Sequence, residues 1–168
     1  MVKQIHVLRH AKSSWDDPSL DDHERPLAKR GRKAAARIAA YIDDGGIRPE
    51  LVLCSTARRA RETFEGISEA LGSPTVHFKA DLYDASAGEW LKALRAIDDQ
   101  VSSVMVIGHN PALAALVLTL AGGGGDIDRV RNKFPTAALA TLSFEGVWQD
   151  LAEGATTLVD YVIPKDLE

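Results

Sequence analysis

With 168 residues, 20 basic side chains and 24 acidic ones, the chain carries a net charge of −4, which argues against a general nucleic-acid-binding protein. The single cysteine excludes an intrachain disulfide and fits a reducing, cytoplasmic setting. The longest apolar stretch, residues 112–118, falls far short of the roughly 18 residues a membrane span needs, and no signal-like segment opens the chain. One domain over residues 1–168 is expected, with neither membrane nor nucleic acid as partner.

Ile5, Val7 and Leu8 form a short strand that ends abruptly at Arg9-His10. The acid-rich segment 13–24 has turn residues and no periodicity, and reads as a solvated loop. Arg25-Pro26-Leu27 then leads into a helix over 27–43, where Ala34, Ala35, Ile38 and Ile42 recur at spacings of three and four until Gly45-Gly46 stops it. Residues 51–54 are apolar on both faces, as in the interior of a parallel sheet. A helix follows with Ala60, Phe64, Ile67 and Leu71 on one face, closed by Gly72-Ser73-Pro74. Next come a third strand over 75–78, a loop over 79–86, and an amphipathic helix bearing Trp90, Leu91, Leu94 and Ile97.

A fourth buried strand, 104–107, stops at Gly108-His109-Asn110-Pro111, with Asn110 the expected N-cap and Pro111 the first helical residue. The helix over 112–121 is apolar nearly all round, so it is expected to be buried. Glycines 122–125 end it, lack the Gly-Lys-Ser/Thr ending of a nucleotide loop, and read as a flexible connection. Two late strands, 138–144 and 157–163, have no helix between them and read as an antiparallel pair. The order predicts an α/β fold: a three-layer α/β/α sandwich, its central sheet mostly parallel with an antiparallel contribution from the late strands.

In such sheets ligands bind beyond the carboxyl ends of the strands. Three of those ends carry polar groups: Arg9-His10, residues 55–59, and Gly108-His109-Asn110. Brought together, Arg9 and Arg59 would neutralise phosphoryl oxygens, one imidazole would attack phosphorus, and the other would hydrogen-bond an equatorial oxygen. Ser55 and Asn110 lie close enough to assist, the first amides of the helix after Pro111 add partial positive charge, and Lys12 would widen the positive rim.

A cysteine phosphatase would need arginine six positions beyond Cys54, where Ala60 stands. Asp16, Asp17, Asp21 and Asp22 read as a solvated loop rather than a cation site. His6 and His77 alternate with apolar strand residues and His23 reads as loop surface; Trp15 could either line a pocket or pack.

Leu8-Arg9-His10-Ala11, the run Ser-Thr-Ala-Arg-Arg-Ala-Arg-Glu-Thr at 55–63, and Gly108-His109-Asn110 resemble, in order, the three motifs of the histidine phosphatase (phosphoglycerate mutase-like) superfamily. Short length, Arg25-Pro26-Leu27 with Gly31, and the terminal Pro164-Lys165-Asp166-Leu167 narrow the resemblance to the small phosphohistidine phosphatases of the SixA type. The resemblance implies a metal-independent, cofactor-free phosphatase with a phosphohistidine intermediate on His10, surrounded by Arg9, Arg59 and His109. Arg59 rather than Arg58 aligns with the family's pocket arginine. The implied partner is a phosphorylated substrate, foremost a phosphohistidine-bearing protein. A small-molecule phosphomonoesterase or mutase, and a phosphohistidine-binding module without turnover, stay open as alternatives. Ala11 stands where the family usually has glycine, and Ala28 where serine or threonine often begins the first helix. The general acid that many members carry after the third strand has two candidates, Asp81 and Asp84.

Overall fold

The computed structural model describes residues 1–168. Six strands, β1 (Val2–Arg9), β2 (Leu51–Ser55), β3 (Thr75–Lys79), β4 (Ser103–Gly108), β5 (Leu139–Glu145) and β6 (Thr157–Val162), form one sheet in the order β3-β2-β4-β1-β5-β6. The four strands from β3 to β1 are parallel, while β5 runs antiparallel to both β1 and β6. This is the expected sandwich, and the physical reason lies in the connections. Each of the first four strands is followed by a helix long enough for a crossover, whereas β5 and β6 are joined without one.

Helices α1 (Lys29–Asp44) and α2 (Arg58–Ile67) cover one face of the sheet, burying Ala35, Ile38 and Ile42 and Ala60 and Ile67 against it. The other face is covered by α3 (Ala87–Arg95), α4 (Ala112–Leu120) and α5 (Ile127–Asn132), with Trp90, Leu94, Leu113, Leu116, Leu120 and Val130 in the second core. All five residues of β2 are buried, as its two-faced apolar run requires. No helix is long and apolar enough to cross a membrane.

Several local expectations are corrected. Helix α1 begins at Lys29, two residues late, with Ala28 as a cap that offers no side-chain acceptor. Helix α2 ends at Ile67, and Leu71 reaches the core from a turn instead. Pro111 occupies the cap position of α4 rather than its first turn, yet Asn110 still supplies an acceptor: its Oδ1 takes the Ala114 amide at 3.2 Å. Helix α5 is an addition, too short to register as an amphipathic period.

Glycines 122–125 are no loose connection. Gly122 donates to Thr156 O at 2.7 Å, Leu158 donates to Gly123 O at 2.9 Å, and Gly124 sits at φ 138° where a Cβ would meet Leu158 O at 2.4 Å. At Gly122 and Gly124 the run is a close backbone approach to residues 154–158, which only glycine permits.

Candidate active site

Because β4 lies between β1 and β2, with Arg9 opposite Gly108 and Cys54 opposite Ile107, the carboxyl ends of the three strands are level. Side chains leaving those ends meet. The His10 and His109 rings stand with centroids 5.1 Å apart, tilted by 53°. Gly108 is required there, since a Cβ on it would lie 2.7 Å from the Trp90 ring.

His10 is only 6% exposed, and its Nδ1 lies 2.7 Å from the Ala11 carbonyl oxygen. A carbonyl can only accept, so Nδ1 carries the proton and Nε2 keeps a free lone pair. Burial pushes the His10 pKa down to about 3; the Ala11 hydrogen bond opposes this, while His109, Arg59 and Arg9 reinforce it. Burial and then Arg59 push His109 down to about 4, against the attraction of Asp22. Both rings are therefore neutral near pH 7.

The surrounding hydrogen bonds tie this geometry to the fold. Thr63 Oγ1 on α2 takes the Ala11 amide at 2.9 Å and donates to Arg59 O at 2.7 Å. Ala11 needs no glycine-like backbone: it is wholly buried, and Ala137 is the only non-glycine residue with positive φ. Ser55 Oγ accepts from the Ala57 amide at 3.1 Å and lies 2.8 Å from His109 Nε2. Arg9 Nη1 and Asn110 Nδ2 both donate to the Phe134 carbonyl, at 3.1 and 2.9 Å, so Asn110 braces the loop that holds Arg9.

Arg59 turns inward and is buried, donating to Asp22 O at 2.8 Å and to Asp22 Oδ2 at 3.0 Å. Arg58 turns outward and pairs with Glu62 across one helical turn. Two buried side-chain polar atoms in the whole chain have no partner: Arg9 Nε and His109 Nδ1. Both belong to this cluster.

Three residues of the site escaped the sequence reading. Asp22, assigned there to a solvated loop, accepts from Arg25, Arg59 and the Tyr83 hydroxyl. The Tyr83 bond first, then Arg25 and Arg59, hold its carboxyl well below the usual range. Tyr83 packs edge-on to His109 and to His23, with centroids 5.5 and 4.8 Å apart. His23 is thus no free loop residue; its Nε2 lies 2.9 Å from Thr56 Oγ1. Only the i,i+3 spacing of Asp22 and Arg25 hinted at any of this.

A cavity of about 490 Å³ opens beside the His109 ring, lined by Asp22, Arg59, Tyr83, Asp84, His109 and Asn110 among others. Asp84 therefore faces the site, whereas Asp81 is exposed on a turn outside that lining. Lys12 is exposed and lines a separate groove. Trp15, 72% exposed, lies flat on the Arg25 guanidinium at 3.2 Å, outside the cavity. Burial pushes the Cys54 thiol up to about 12, which removes it as a nucleophile.

Residues 5–100 match the sequence profile of the histidine phosphatase superfamily (branch 1). The chain belongs to that superfamily. An uncharacterised protein of Mycobacterium tuberculosis is 34% identical over 162 residues, covering 94% of this chain and all (100%) of that one. SixA from Nakamurella multipartitia superposes with a TM-score of 0.87 at 28% identity, covering 98% of this chain and 97% of that one. A protein histidine phosphatase SixA complexed with tungstate superposes with a TM-score of 0.81 at 26% identity, covering 98% of this chain and 99% of that one. This member of the superfamily is SixA-like and is a histidine-dependent phosphatase.

Proposed function

We propose that this histidine phosphatase hydrolyses phosphohistidine on a protein, without a metal, through a phosphoryl group carried transiently on His10 Nε2. The observation that carries the reading is the pair of orphaned buried atoms, Arg9 Nε and His109 Nδ1. Arginine Nε–H can only donate, and a buried donor without an acceptor costs about 1–3 kcal/mol, so the site is built for an anion that would satisfy it.

Ser55 refines the role of His109. Its hydroxyl already accepts the Ala57 amide, leaving its own proton for His109 Nε2. In that arrangement Nδ1 of His109 carries a proton and donates it in a hydrogen bond to a phosphoryl oxygen. Arg9 and Arg59 neutralise the remaining oxygens through fixed charge that needs no reorganisation.

The Nε2 lone pair of His10 attacks phosphorus as the phosphorus–nitrogen bond to the substrate imidazole breaks. The phosphorylated imidazole reacts protonated on its other nitrogen, so it departs neutral, keeping that proton and taking the electron pair of the broken bond on the released nitrogen. Water then attacks the phosphoenzyme, the phosphorus–Nε2 bond breaks with its electron pair returning to Nε2, and both hydrogens of the water leave on inorganic phosphate as dihydrogen phosphate. A neutral imidazole leaves more readily than an alkoxide, so no strong general acid is needed. Asp22, held ionised by Tyr83, Arg25 and Arg59, is unsuited to that role, and Asp84 is the carboxyl placed to relay a proton if an ester is the substrate.

The test is phosphate release from phosphohistidine proteins, sugar phosphates and nucleotides, with and without chelator, in wild type and His10→Ala. The expected result is chelator-insensitive release, fastest from phosphohistidine, with both turnover and trapped phosphoenzyme abolished in the variant. An unimpaired variant, or strict dependence on a divalent ion, refutes the mechanism.

A further inference from the structure

Lys12, Arg30, Lys33, Arg37, Lys133 and Lys165 line a second groove of about 480 Å³, in which Glu168 is the only acidic side chain. None of the six forms an ion pair. The contrast with the rest of the molecule is sharp. Every other arginine has a hydrogen-bond acceptor, from Arg9 on Phe134 O to Arg131 on Asp128, and Arg30 and Arg37 are the two that have none. A chain of net charge −4 thus gathers six cations without an ion-pair partner on one surface, against a single acidic side chain. Clustered like charge raises the energy of the free protein, and an anionic partner relieves it.

The groove adjoins the site described above. Lys12 lies two residues beyond His10, and Pro135 and Thr136 in its wall follow directly on Phe134, whose carbonyl holds Arg9 and Asn110. Arg30, Lys33 and Arg37 recur at spacings of three and four along the exposed side of α1. Seven residues of helix span about 10 Å, the length of roughly three residues of extended chain.

We propose that this groove docks a short acidic segment of the phosphohistidine-bearing substrate protein and so selects among phosphoproteins. The inference rests on the function proposed above. A discrete acidic segment suits the surface better than a long polyanion. Nucleic acid would also meet the acidic remainder of the molecule, including the aspartates of loop 13–24, and be repelled.

The test uses three probes: a peptide with one phosphohistidine flanked by aspartate triplets, the same peptide with asparagine triplets, and inorganic phosphoramidate. The acidic peptide is expected to show kcat/KM about tenfold above the asparagine peptide at low salt, through KM, with the gap closing at about 0.5 M salt. The double substitution Arg30→Gln and Arg37→Gln is expected to close the same gap while leaving phosphoramidate hydrolysis unchanged.

Equal kcat/KM for the two peptides, or equal loss on phosphoramidate in the variant, overturns the docking role. Stronger competition from duplex DNA or anionic vesicles than from an unphosphorylated aspartate-flanked peptide overturns it too. Turnover of phosphoramidate with neither peptide processed also sinks it. Failure on all three probes strikes the proposed function itself, so the two failures are distinguishable.

Discussion

Replacing Gly31 by alanine sets two effects of opposite sign against each other. At an ordinary helical position the change adds about 0.5–1 kcal/mol of stability, because alanine loses less backbone freedom than glycine on folding. Gly31 is not ordinary. It is buried in the first turn of α1, against the loop after β1, and a Cβ there would stand 2.1 Å from the Lys12 carbonyl oxygen, against the 3.4 Å at which ordinary contact begins. The oxygen cannot yield freely, since it accepts the Ala28 amide at 2.8 Å, and the neighbouring Ala11 amide is held by Thr63 at 2.9 Å.

Relieving the clash moves the 12–13 peptide by roughly 1 Å, and that peptide follows directly on the one whose Ala11 carbonyl fixes the His10 ring. Overpacking costs about 1–3 kcal/mol and loss of the Ala28 bond about 1 kcal/mol more, which outweighs the propensity gain. A net loss of about 2 kcal/mol lowers Tm by about 4–8 °C in a chain of this size. A displacement on the order of 1 Å at the nucleophile lowers kcat about 10- to 100-fold. Thermal unfolding and phosphate release from a phosphohistidine substrate measure the two. A Gly31→Ala protein that melts higher than wild type and keeps its kcat would show that helix propensity governs this position, and that α1 does not position His10.

Two further predictions concern charge. Asp22→Asn removes a negative charge beside the phosphate site while keeping an acceptor for Arg59; at several ångströms and an intermediate dielectric that repulsion is about 1 kcal/mol, so phosphate should inhibit about fivefold more tightly. Unchanged or weaker inhibition would mean that Asp22 matters more for aiming Arg59 than for its charge.

The second is acid stability. Burial holds His6 near 4, His10 near 3 and His109 near 4, all below the ordinary 6.5. Below pH 6.5 the unfolded chain therefore binds more protons than the folded one, and stability falls as pH drops from 6.5 toward 4, by up to about 1.4 kcal/mol per pH unit for each histidine. Urea midpoints across that window measure the slope, and a flat profile between pH 6.5 and 5 would contradict the burial of these rings.

Much of this site was legible because its parts are local. A strand's alternation marks its own end, so Arg9-His10, Ser55 and His109 could be assigned to strand ends without knowing what lay beside them, and the crossover rule supplied the rest. The choice of Arg59 over Arg58 followed from motif alignment, and the structure gives it a physical basis in the buried face of α2. Asp22, Tyr83 and His23 were not legible. Their partners lie far along the chain, Arg59 thirty-seven residues and Tyr83 sixty-one residues from Asp22, and no spacing within loop 13–24 encodes that meeting.

The amino-acid order by itself determined the layers, the sheet's mixed direction and the pair of histidines, since each depends on periodicity or on a single strand end. Tertiary structure alone decided which donors are left without acceptors, where Gly122 and Gly124 are pressed against the segment 154–158, and that six cations from four separate parts of the chain share one groove. Those properties are set by which surfaces come within a few ångströms of one another, and proximity between distant segments leaves no period in a sequence.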